Sequence, residues 1–330
     1  MPEPSAAPAP PRRVWLLGAT GTIGRATATA LVADGHAVVC PVRPSGLDRA
    51  RDRLPPQASV VPCDVTDPAA LQALAAGGCD ALVSCLASRT GLPADAGAID
   101  HAATVAALEA ARAAGAGRVV LLSAICVQKP RLAFQQAKLA AEAAVMASGL
   151  AWSIVRPTAF FKSVTGQLDR VRAGRPYLVF GDGRQTACTP ISDRDLGRFI
   201  ADCLTDPART GRILPVGGPG PALTPREIGA MMFELTGRPP RFRQVPPALM
   251  DAIVAGLTLA GGAVPKLRDK AEMARIGRYY ATESMLLWDA ARGRYDAEAT
   301  PAFGADTLRA HLERLVAEGA ADDRGEHAVF

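Results

Sequence analysis

The 330-residue chain has few aromatic residues, and it lacks the patterns that mark several classes of protein. Its four histidines show no ligand spacing, so no metal site is predicted. The 37 basic and 32 acidic residues are scattered without a run of five basic residues, so no nucleic-acid partner is indicated. The apolar stretch 252–265 is too short to span a bilayer. These absences predict a soluble globular protein, for which weak contact with a membrane surface stays open.

The cysteines number seven, and no two of them are spaced as Cys-x-x-Cys. Most lie in apolar runs, which predicts buried, reduced thiols and therefore a reducing compartment. Residues 1–12 are rich in proline and alanine and lack the apolar centre of a signal peptide, so a disordered leader is predicted there. The charged residues 321–330 are expected to form a frayed tail.

Short apolar runs alternate with alanine-rich helical stretches over the first two hundred residues. This alternation predicts an α/β fold, namely a Rossmann-type doubly wound parallel sheet with helices on both faces. The predicted strands are 13–18, 37–42, 58–63, 80–86, 117–125 and 151–156, and the predicted helices are 22–34, 68–76, 97–115 and 134–149.

The regular alternation ends near residue 156. We therefore predict an NADP-binding Rossmann domain over 13–156 and a smaller, mostly helical, substrate-binding region over 157–320. Within that region 157–192 shows few clear elements, whereas elements near 192–216 are expected to return to the Rossmann sheet. A capping-box pattern at Thr224 predicts a helix over 224–235.

A glycine-rich turn follows the first predicted strand and opens the first helix. Gly18 permits a tight turn, Gly21 lets the backbone approach a pyrophosphate, and Gly24 allows the helix to pack closely on the strand. The helix N-terminus offers N–H groups and a favourable dipole to phosphates. The sequence therefore predicts dinucleotide binding by the turn residues Gly18, Thr20, Gly21, Thr22, Ile23, Gly24 and Arg25.

The end of the second strand indicates which dinucleotide is bound. NAD-specific sites usually place an acid there, about 20 residues past the first glycines, to hold the ribose 2′-hydroxyl. No acid occurs from residue 36 to 47, and Arg43 stands there instead. Arg43 and Arg25 are suited to a 2′-phosphate, so NADPH is the predicted cofactor. Asp64, which closes the third strand, is predicted either to lie near the adenine or to cap the following helix.

The glycine pattern resembles that of the extended and atypical short-chain dehydrogenases, which normally carry Tyr-x-x-x-Lys on the helix after the fifth strand. Here Phe134 stands at the tyrosine position and Lys138 at the lysine position. Carbonyl reduction needs an acid at the oxygen, whereas reduction of a conjugated C=C bond produces no alkoxide. Three classes therefore remain open: an alkene reductase, a regulator that senses the nucleotide, and a non-catalytic subunit that only holds it.

Several blocks of sequence together resemble one family. They are Cys-Asp-Ala-Leu-Val-Ser-Cys-Leu from 79, Leu-Leu-Ser-Ala-Ile-Cys-Val from 121, Phe-Gln-Gln-Ala-Lys from 134, Arg-Pro-Thr-Ala-Phe-Phe-Lys from 156 and Tyr-Tyr-Ala-Thr-Glu-Ser from 279. Over about residues 13–320 the chain resembles the NADPH-dependent 8-vinyl reductases of divinyl chlorophyllide or protochlorophyllide in (bacterio)chlorophyll biosynthesis. The resemblance implies an oxidoreductase that reduces a vinyl group of a magnesium tetrapyrrole. The proline-rich leader of this chain is short, and within the resemblance this implies a bacterial cytoplasmic form that is peripheral to photosynthetic membranes.

The resemblance also implies roles for single residues. Lys138 is expected to bind the nicotinamide ribose and to act in catalysis, while the proton donor is left open between Tyr279, Tyr280, Glu283 and water, with Tyr280 the catalytic candidate. Strand ends that face the cofactor are expected at Cys85, Leu86, Ser123, Pro157 and Thr158. Phe160 and Phe161 are expected to stack on the flat macrocycle, and Lys162 to pair with a substrate carboxylate. The apolar segment 247–259 is interpreted as a lid, an interfacial helix or an ordinary core helix.

Overall fold

The computed structural model describes residues 10–264 and 266–321, so most of the predicted leader and tail lies outside the described residues. In chain order its strands are β1 (Arg13–Leu17), β2 (Ala37–Val42), β3 (Ser59–Pro62), β4 (Ala81–Ser84), β5 (Arg118–Leu122), β6 (Ala151–Pro157), β7 (Tyr177–Phe180), β8 (Arg212–Val216), β9 (Phe242–Val245), β10 (Leu287–Asp289) and β11 (Arg294–Asp296).

Helices join most of these strands. They are α1 (Thr22–Ala33), α2 (Leu47–Arg53), α3 (Pro68–Ala75), α4 (Pro93–Asp95), α5 (Thr104–Ala113), α6 (Ala133–Ala147), α7 (Phe161–Val164), α8 (Leu168–Arg172), α9 (Asp193–Asp202), α10 (Pro225–Leu235), α11 (Pro247–Ala263), α12 (Lys266–Thr282) and α13 (Leu308–Glu318). A π-helical segment, Ala96–Ala103, joins α4 to α5.

The central sheet confirms the predicted fold class. Within the described residues it has seven strands in the order β3-β2-β1-β4-β5-β6-β8, and every paired register is parallel. Helices cover both of its faces, so strands such as β1 and β5 read as continuous apolar runs. The chain reverses its direction of winding between β1 and β4, and open α/β sheets bind ligands in the crevice at such a point.

The elements that return to the sheet come from the second half of the chain. Within the segment near 192–216 that was expected to return to the sheet, Arg212–Val216 forms β8 and pairs with β6. Helix α9 packs against α1 so closely that a Cβ atom on Gly197 would lie 2.6 Å from the backbone of Ala26. The capping box predicted at Thr224 is also present, since the Thr224 side chain and Glu227 bond to each other's backbone N–H groups.

The remaining region contains elements that the sequence did not predict. Strands β7 and β9 form a separate two-stranded parallel sheet, and β10 pairs with β11 in an antiparallel hairpin. Helices α11 and α12 pack against each other as a hairpin. No helix in the described part of the chain is both long enough and apolar enough to cross a membrane.

Candidate cofactor and active site

The glycine-rich turn lies where β1 meets α1, at the crevice between β1 and β4. Gly18 has φ +70°, a left-handed conformation that favours glycine, and a Cβ atom there would lie 2.5 Å from the Cys85 carbonyl oxygen. A Cβ atom on Gly24 would overlap the Gly18 carbonyl oxygen. At Gly21 an added Cβ would meet only that same oxygen, at 3.4 Å, so the backbone there is open to a ligand. The geometry agrees with the three roles predicted for these glycines.

The N-terminus of α1 fits a negatively charged group. Its N-cap residue Gly21 makes no side-chain cap, and the first turn contains no acidic residue. Lys162, from the segment after β6, donates a hydrogen bond from Nζ to Thr22 Oγ1 at 2.6 Å. A cation and open N–H groups therefore meet at this turn, as a dinucleotide diphosphate requires.

This placement of Lys162 differs from the expected one. The sequence predicted that Lys162 contacts a substrate carboxylate, but the ammonium lies at the glycine-rich turn and 5.6 Å from the centre of the Phe160 ring. The geometry therefore favours a contact with the cofactor. The reason is that the chain after β6 turns back across the end of β1, a tertiary path that the sequence pattern does not specify.

The adenosine end of the crevice is marked by Arg43 and Asp64. Arg43 is exposed directly after β2, and Asp64 follows β3. Asp64 Oδ1 accepts hydrogen bonds from the Thr66 backbone N–H and hydroxyl, at 3.0 and 2.7 Å, and these bonds together with the charge of Arg43 lower the pKa of Asp64. Asp64 thus closes the turn before α3, but the N-cap of α3 is Asp67, so the expected capping of that helix by Asp64 is wrong. The predicted contact of Asp64 with the adenine stays a prediction.

Replacing Arg43 by alanine is expected to weaken NADPH binding by about 1.5–3 kcal/mol, the range for a hydrogen bond to a charged group. The binding of NADH should be nearly unchanged, because NADH has no 2′-phosphate. Fluorescence titration with both nucleotides measures this difference, and Arg51→Ala on α2 is a matched control, since Arg51 is also exposed and pairs with Asp48. An equal loss of affinity for both nucleotides would contradict the assignment.

The other end of the crevice contains Lys138, which forms a buried ion pair. Lys138 Nζ lies 2.8 Å from Asp100 Oδ1, and the two side chains are 13% and 1% exposed. Asp100 belongs to the π-helical segment, and its Oδ2 is buried without a hydrogen-bond partner. Ser84 Oγ, at the end of β4, is also buried without a partner. Two such orphaned polar atoms beside the crevice fit a ligand that carries hydroxyl groups.

Asp100 is a candidate functional residue that could not be singled out from the sequence. A signal was present, because Asp100 is an isolated acid among alanines and other small residues in the predicted helix 97–115. An acid that is buried in such a helix needs a cationic partner. The π-helical geometry at this point is a further mark of function, since such bulges often occur at functional sites.

Tyr280 reaches the same end of the crevice from α12. Its hydroxyl lies 4.0 Å from Cys126 Sγ, just beyond β5, while its ring is partly exposed. The positive charge of Lys138 acts on the thiols of both Cys126 and Cys85, although burial dominates and raises the pKa of both. Tyr280 therefore brings a tyrosine hydroxyl to Cys126 from α12, a helix far from Phe134 in the sequence.

Two of the other candidate proton donors, Tyr279 and Glu283, have structural roles, while water stays open as a candidate. Tyr279 is buried, and its hydroxyl donates to the backbone carbonyls of Cys126 at 2.9 Å and Lys129 at 3.2 Å. Glu283 accepts hydrogen bonds from Lys129 Nζ and the Tyr295 hydroxyl, both at 2.6 Å. Burial alone would raise the pKa of Glu283, but these bonds and the nearby cations hold it below its ordinary value, so Glu283 is an anion and not an acid at neutral pH.

Three of the expected ligand contacts are taken up within the protein. The Ser123 hydroxyl donates to Glu142 Oε1 at 2.5 Å, and the Thr158 hydroxyl donates to the Thr189 carbonyl at 2.5 Å. Phe161 is 4% exposed and belongs to the core, which corrects the expected stacking of its ring on a substrate. Contacts of Ser123 and Thr158 with the cofactor stay predictions. Because both hydroxyl protons are donated within the protein, such contacts would have to use the hydroxyl oxygens as acceptors or the backbone.

The strand ends otherwise lie where they were expected. Cys85 and Leu86 follow β4, and their backbone packs against Gly18. Pro157 ends β6 and is buried, and Phe160 beyond it is half-buried. The seven cysteines are free thiols, and all except Cys85 are buried. The strand ends therefore form one edge, which runs from Arg43 through the glycine-rich turn to Lys138.

This fold and this edge define a Rossmann-type protein that binds a nicotinamide dinucleotide. A family model described as NAD(P)H-binding matches residues 18–207. The structure of a UDP-glucose 4-epimerase from Thermotoga maritima is similar at a TM-score of 0.67, with 15% sequence identity, over 92% of this chain and 97% of that one. At this identity the similarity concerns the fold alone.

Two plant proteins are similar in sequence over nearly the whole chain. The divinyl chlorophyllide a 8-vinyl-reductase of Oryza sativa subsp. indica is 47% identical over 352 residues, which cover 100% of this chain and 87% of the plant protein. The protein of the same name from Zea mays is 49% identical and covers 98% of this chain and 84% of its own length. The chain belongs to the family of divinyl chlorophyllide a 8-vinyl-reductases.

Proposed function

We propose that this protein is an NADPH-dependent oxidoreductase that reduces the 8-vinyl group of divinyl chlorophyllide a, or of its protochlorophyllide precursor, to an ethyl group. The observation that carries the proposal is the near-full-length identity of 47–49% to proteins named for this reaction. The magnesium ion of the tetrapyrrole belongs to the substrate. The reaction places the protein in (bacterio)chlorophyll biosynthesis.

The arrangement of side chains suits the reduction of a carbon–carbon double bond. The reaction converts –CH=CH₂ into –CH₂–CH₃, so that one vinyl carbon receives a hydride and the other a proton. Bound NADPH supplies the hydride. The negative charge that remains spreads over the conjugated macrocycle, so no tyrosine is needed at an alkoxide oxygen, and Phe134 at that position is compatible with the reaction.

The protein's own groups then bind the cofactor and deliver the proton. Lys162 and the N-terminus of α1 hold the diphosphate, and Arg43 holds the 2′-phosphate. Lys138, fixed by Asp100, binds the nicotinamide ribose. The Tyr280 hydroxyl is the proton donor in this proposal, because it reaches the Cys126 end of the crevice. Phe160 is the ring placed to stack on the macrocycle.

We also propose that the protein acts in the bacterial cytoplasm, peripheral to photosynthetic membranes. The seven free cysteines support a reducing compartment. In this proposal residues 13–156 bind most of the cofactor. Residues 157–320 contribute Lys162 to the diphosphate, and Phe160 and Tyr280 to the substrate side.

The test is to incubate the purified protein with NADPH and divinyl chlorophyllide a, and in parallel with divinyl protochlorophyllide a. We expect a blue shift of the Soret band, a monovinyl product with a new chromatographic retention time, and one NADPH consumed per product formed. NADH in place of NADPH is the control for cofactor choice. Tight NADPH binding without a monovinyl product from either pigment would contradict the proposal and favour a sensor or an assembly subunit.

A further inference from the structure

Helix α11 lies on the outside of the molecule, and its two polar side chains are exposed but bond to side chains of α12. Asp251 and Thr258 are the only charged or hydrogen-bonding side chains of the helix, whose sequence is otherwise alanine, glycine, proline and larger apolar residues. Asp251 pairs with Arg278 of α12, and Thr258 Oγ1 accepts a hydrogen bond from Arg275 Nη2 at 2.9 Å. A helix that borders water normally carries polar side chains over its solvent-facing side, whereas α11 has only these two.

The side of α11 that is turned away from α12 is apolar and exposed. Leu249, Ile253 and Leu259 are 50%, 41% and 84% exposed, and Val264 just beyond the helix is 47% exposed. We call these four residues the apolar face. Leu249 and Ile253 are one helical turn apart, so they lie on one side of the helix. Monomeric proteins rarely leave such a patch uncovered unless it is an interaction site.

Basic residues stand at both ends of the apolar face. Arg238, Arg241 and Arg243 precede the helix with no acidic residue among 238–246, and all three are exposed. Lys266 and Lys270 follow it and are exposed as well. An apolar helix surface flanked by cations is the arrangement that binds a bilayer surface with anionic headgroups.

Two other occupants fit the geometry less well. A pigment at the Cys126 end of the crevice would approach from the side of α12 that carries Tyr280. Tyr280 is about 200° around α12 from Arg278, which pairs with Asp251 of α11, so the pigment would lie on the side of α12 that is turned away from α11. A second copy of the chain would bring basic ends toward basic ends. A lipid surface satisfies both the apolar face and the cations.

We propose that the apolar face of α11, with its flanking cations, is a membrane-surface site that docks this protein on anionic lipid bilayers without spanning them. The apolar side chains would enter the boundary between headgroups and acyl chains, while Asp251 and Thr258 keep their bonds to α12. This inference rests on the peripheral membrane location proposed above and gives it a surface, but it is independent of the proposed reaction, because that surface carries none of the candidate catalytic groups.

The test is co-sedimentation of the full chain with vesicles of equal parts phosphatidylcholine and phosphatidylglycerol, and with vesicles of phosphatidylcholine alone. We expect binding to the anionic vesicles that weakens as salt is added. The double variant Ile253→Asp/Leu259→Asp should lower the partition coefficient roughly tenfold or more, since both apolar area and charge balance change. The variant Ile253→Ser/Leu259→Ser should also lower it, and in that variant no charge is added.

Met146→Asp is the matched control, because Met146 is 43% exposed on α6, away from the hairpin. Its binding to vesicles should equal that of the unaltered protein. The NADPH affinity of each variant shows whether it is folded. Vinyl reduction is measured separately, with pigment in solution, so that failure of the reductase proposal can be distinguished from failure of the docking proposal. No binding to either vesicle would overturn the inference. The inference would also be overturned if Met146→Asp lowered vesicle binding as much as the α11 variants do. A dimer, detected by light scattering and dissociated by the α11 variants, would overturn it as well, because the apolar face would then bind a second copy of the chain.

Discussion

Replacing Lys138 by methionine is expected to lower kcat for vinyl reduction about 10²–10³-fold, the range for removing one preorganised polar group from an active site. The ammonium is held by Asp100 at 2.8 Å, and its positive charge acts on the thiols of Cys85 and Cys126, which follow β4 and β5. Without it the cofactor ribose loses its cationic partner, so the affinity for NADPH should also fall. Steady-state kinetics and nucleotide titration measure the two effects.

Lys138→Met should also destabilise the fold, so the loss of activity has to be separated from the loss of stability. It leaves the Asp100 carboxylate buried without its cation, and breaking a buried ion pair on one side costs about 3–5 kcal/mol. The double variant Lys138→Met/Asp100→Asn removes both charges, so most of the lost stability should return in a urea titration while kcat stays low. Recovery of activity together with stability would show that Lys138 is structural and would contradict its catalytic role.

Local features of the site could be predicted from the sequence because they depend on residues close together in the chain. The turn from Gly18 to Gly24 and the helix that carries Lys138 are set by glycine positions and by helical periodicity. Parallel strands also place all their carboxyl ends at one edge, so Arg43, Cys85 and Pro157 were expected along the crevice once the strands were identified.

Side-chain direction and tertiary pairing could not be predicted in this way. Whether Ser123 faces the cofactor or Glu142 depends on a buried network that includes Arg156, which lies in another strand. Lys162 was expected at the substrate, but the path of the chain after β6 brings it to Thr22. Asp100 pairs with Lys138 across a separation of 38 residues. Such pairs follow from packing between elements and leave no periodic pattern in the sequence.

The short strands β7 and β9 were missed for a related reason. Each has four residues, and they pair with each other across about sixty intervening residues. A run of four residues is too short to show a period of two clearly, and its stability comes from its partner. By contrast, the six residues of β2 were predicted with their exact bounds, since they form an apolar run that is buried on both faces.

Changing Tyr280 to phenylalanine is expected to lower kcat about 10²–10³-fold, within the range for loss of a general acid, and to leave NADPH binding unchanged. Tyr279→Phe is the matched control, because it removes the neighbouring hydroxyl. That variant loses the hydrogen bonds to the Cys126 and Lys129 carbonyls, so it should lower stability by about 1–3 kcal/mol and change kcat little. Equal values of kcat in the two variants would remove Tyr280 from the mechanism.

The pH dependence of kcat tests the same assignment in the unaltered protein. Burial raises the pKa of Tyr280 well above 10, and the adjacent Cys126 and Tyr279 add to the shift. A raised pKa keeps the acid form populated, so a donor at Tyr280 predicts no fall in kcat from tyrosine ionisation between about pH 7 and pH 9.5. Glu283 has a lowered pKa and would already be ionised over this range, so a donor at Glu283 would require kcat to fall at a much lower pH. We therefore expect a kcat that stays constant at neutral and mildly alkaline pH in the unaltered protein, and a kcat that is low over the same range in Tyr280→Phe. This combination would identify the tyrosine, and not the carboxylate, as the source of the proton.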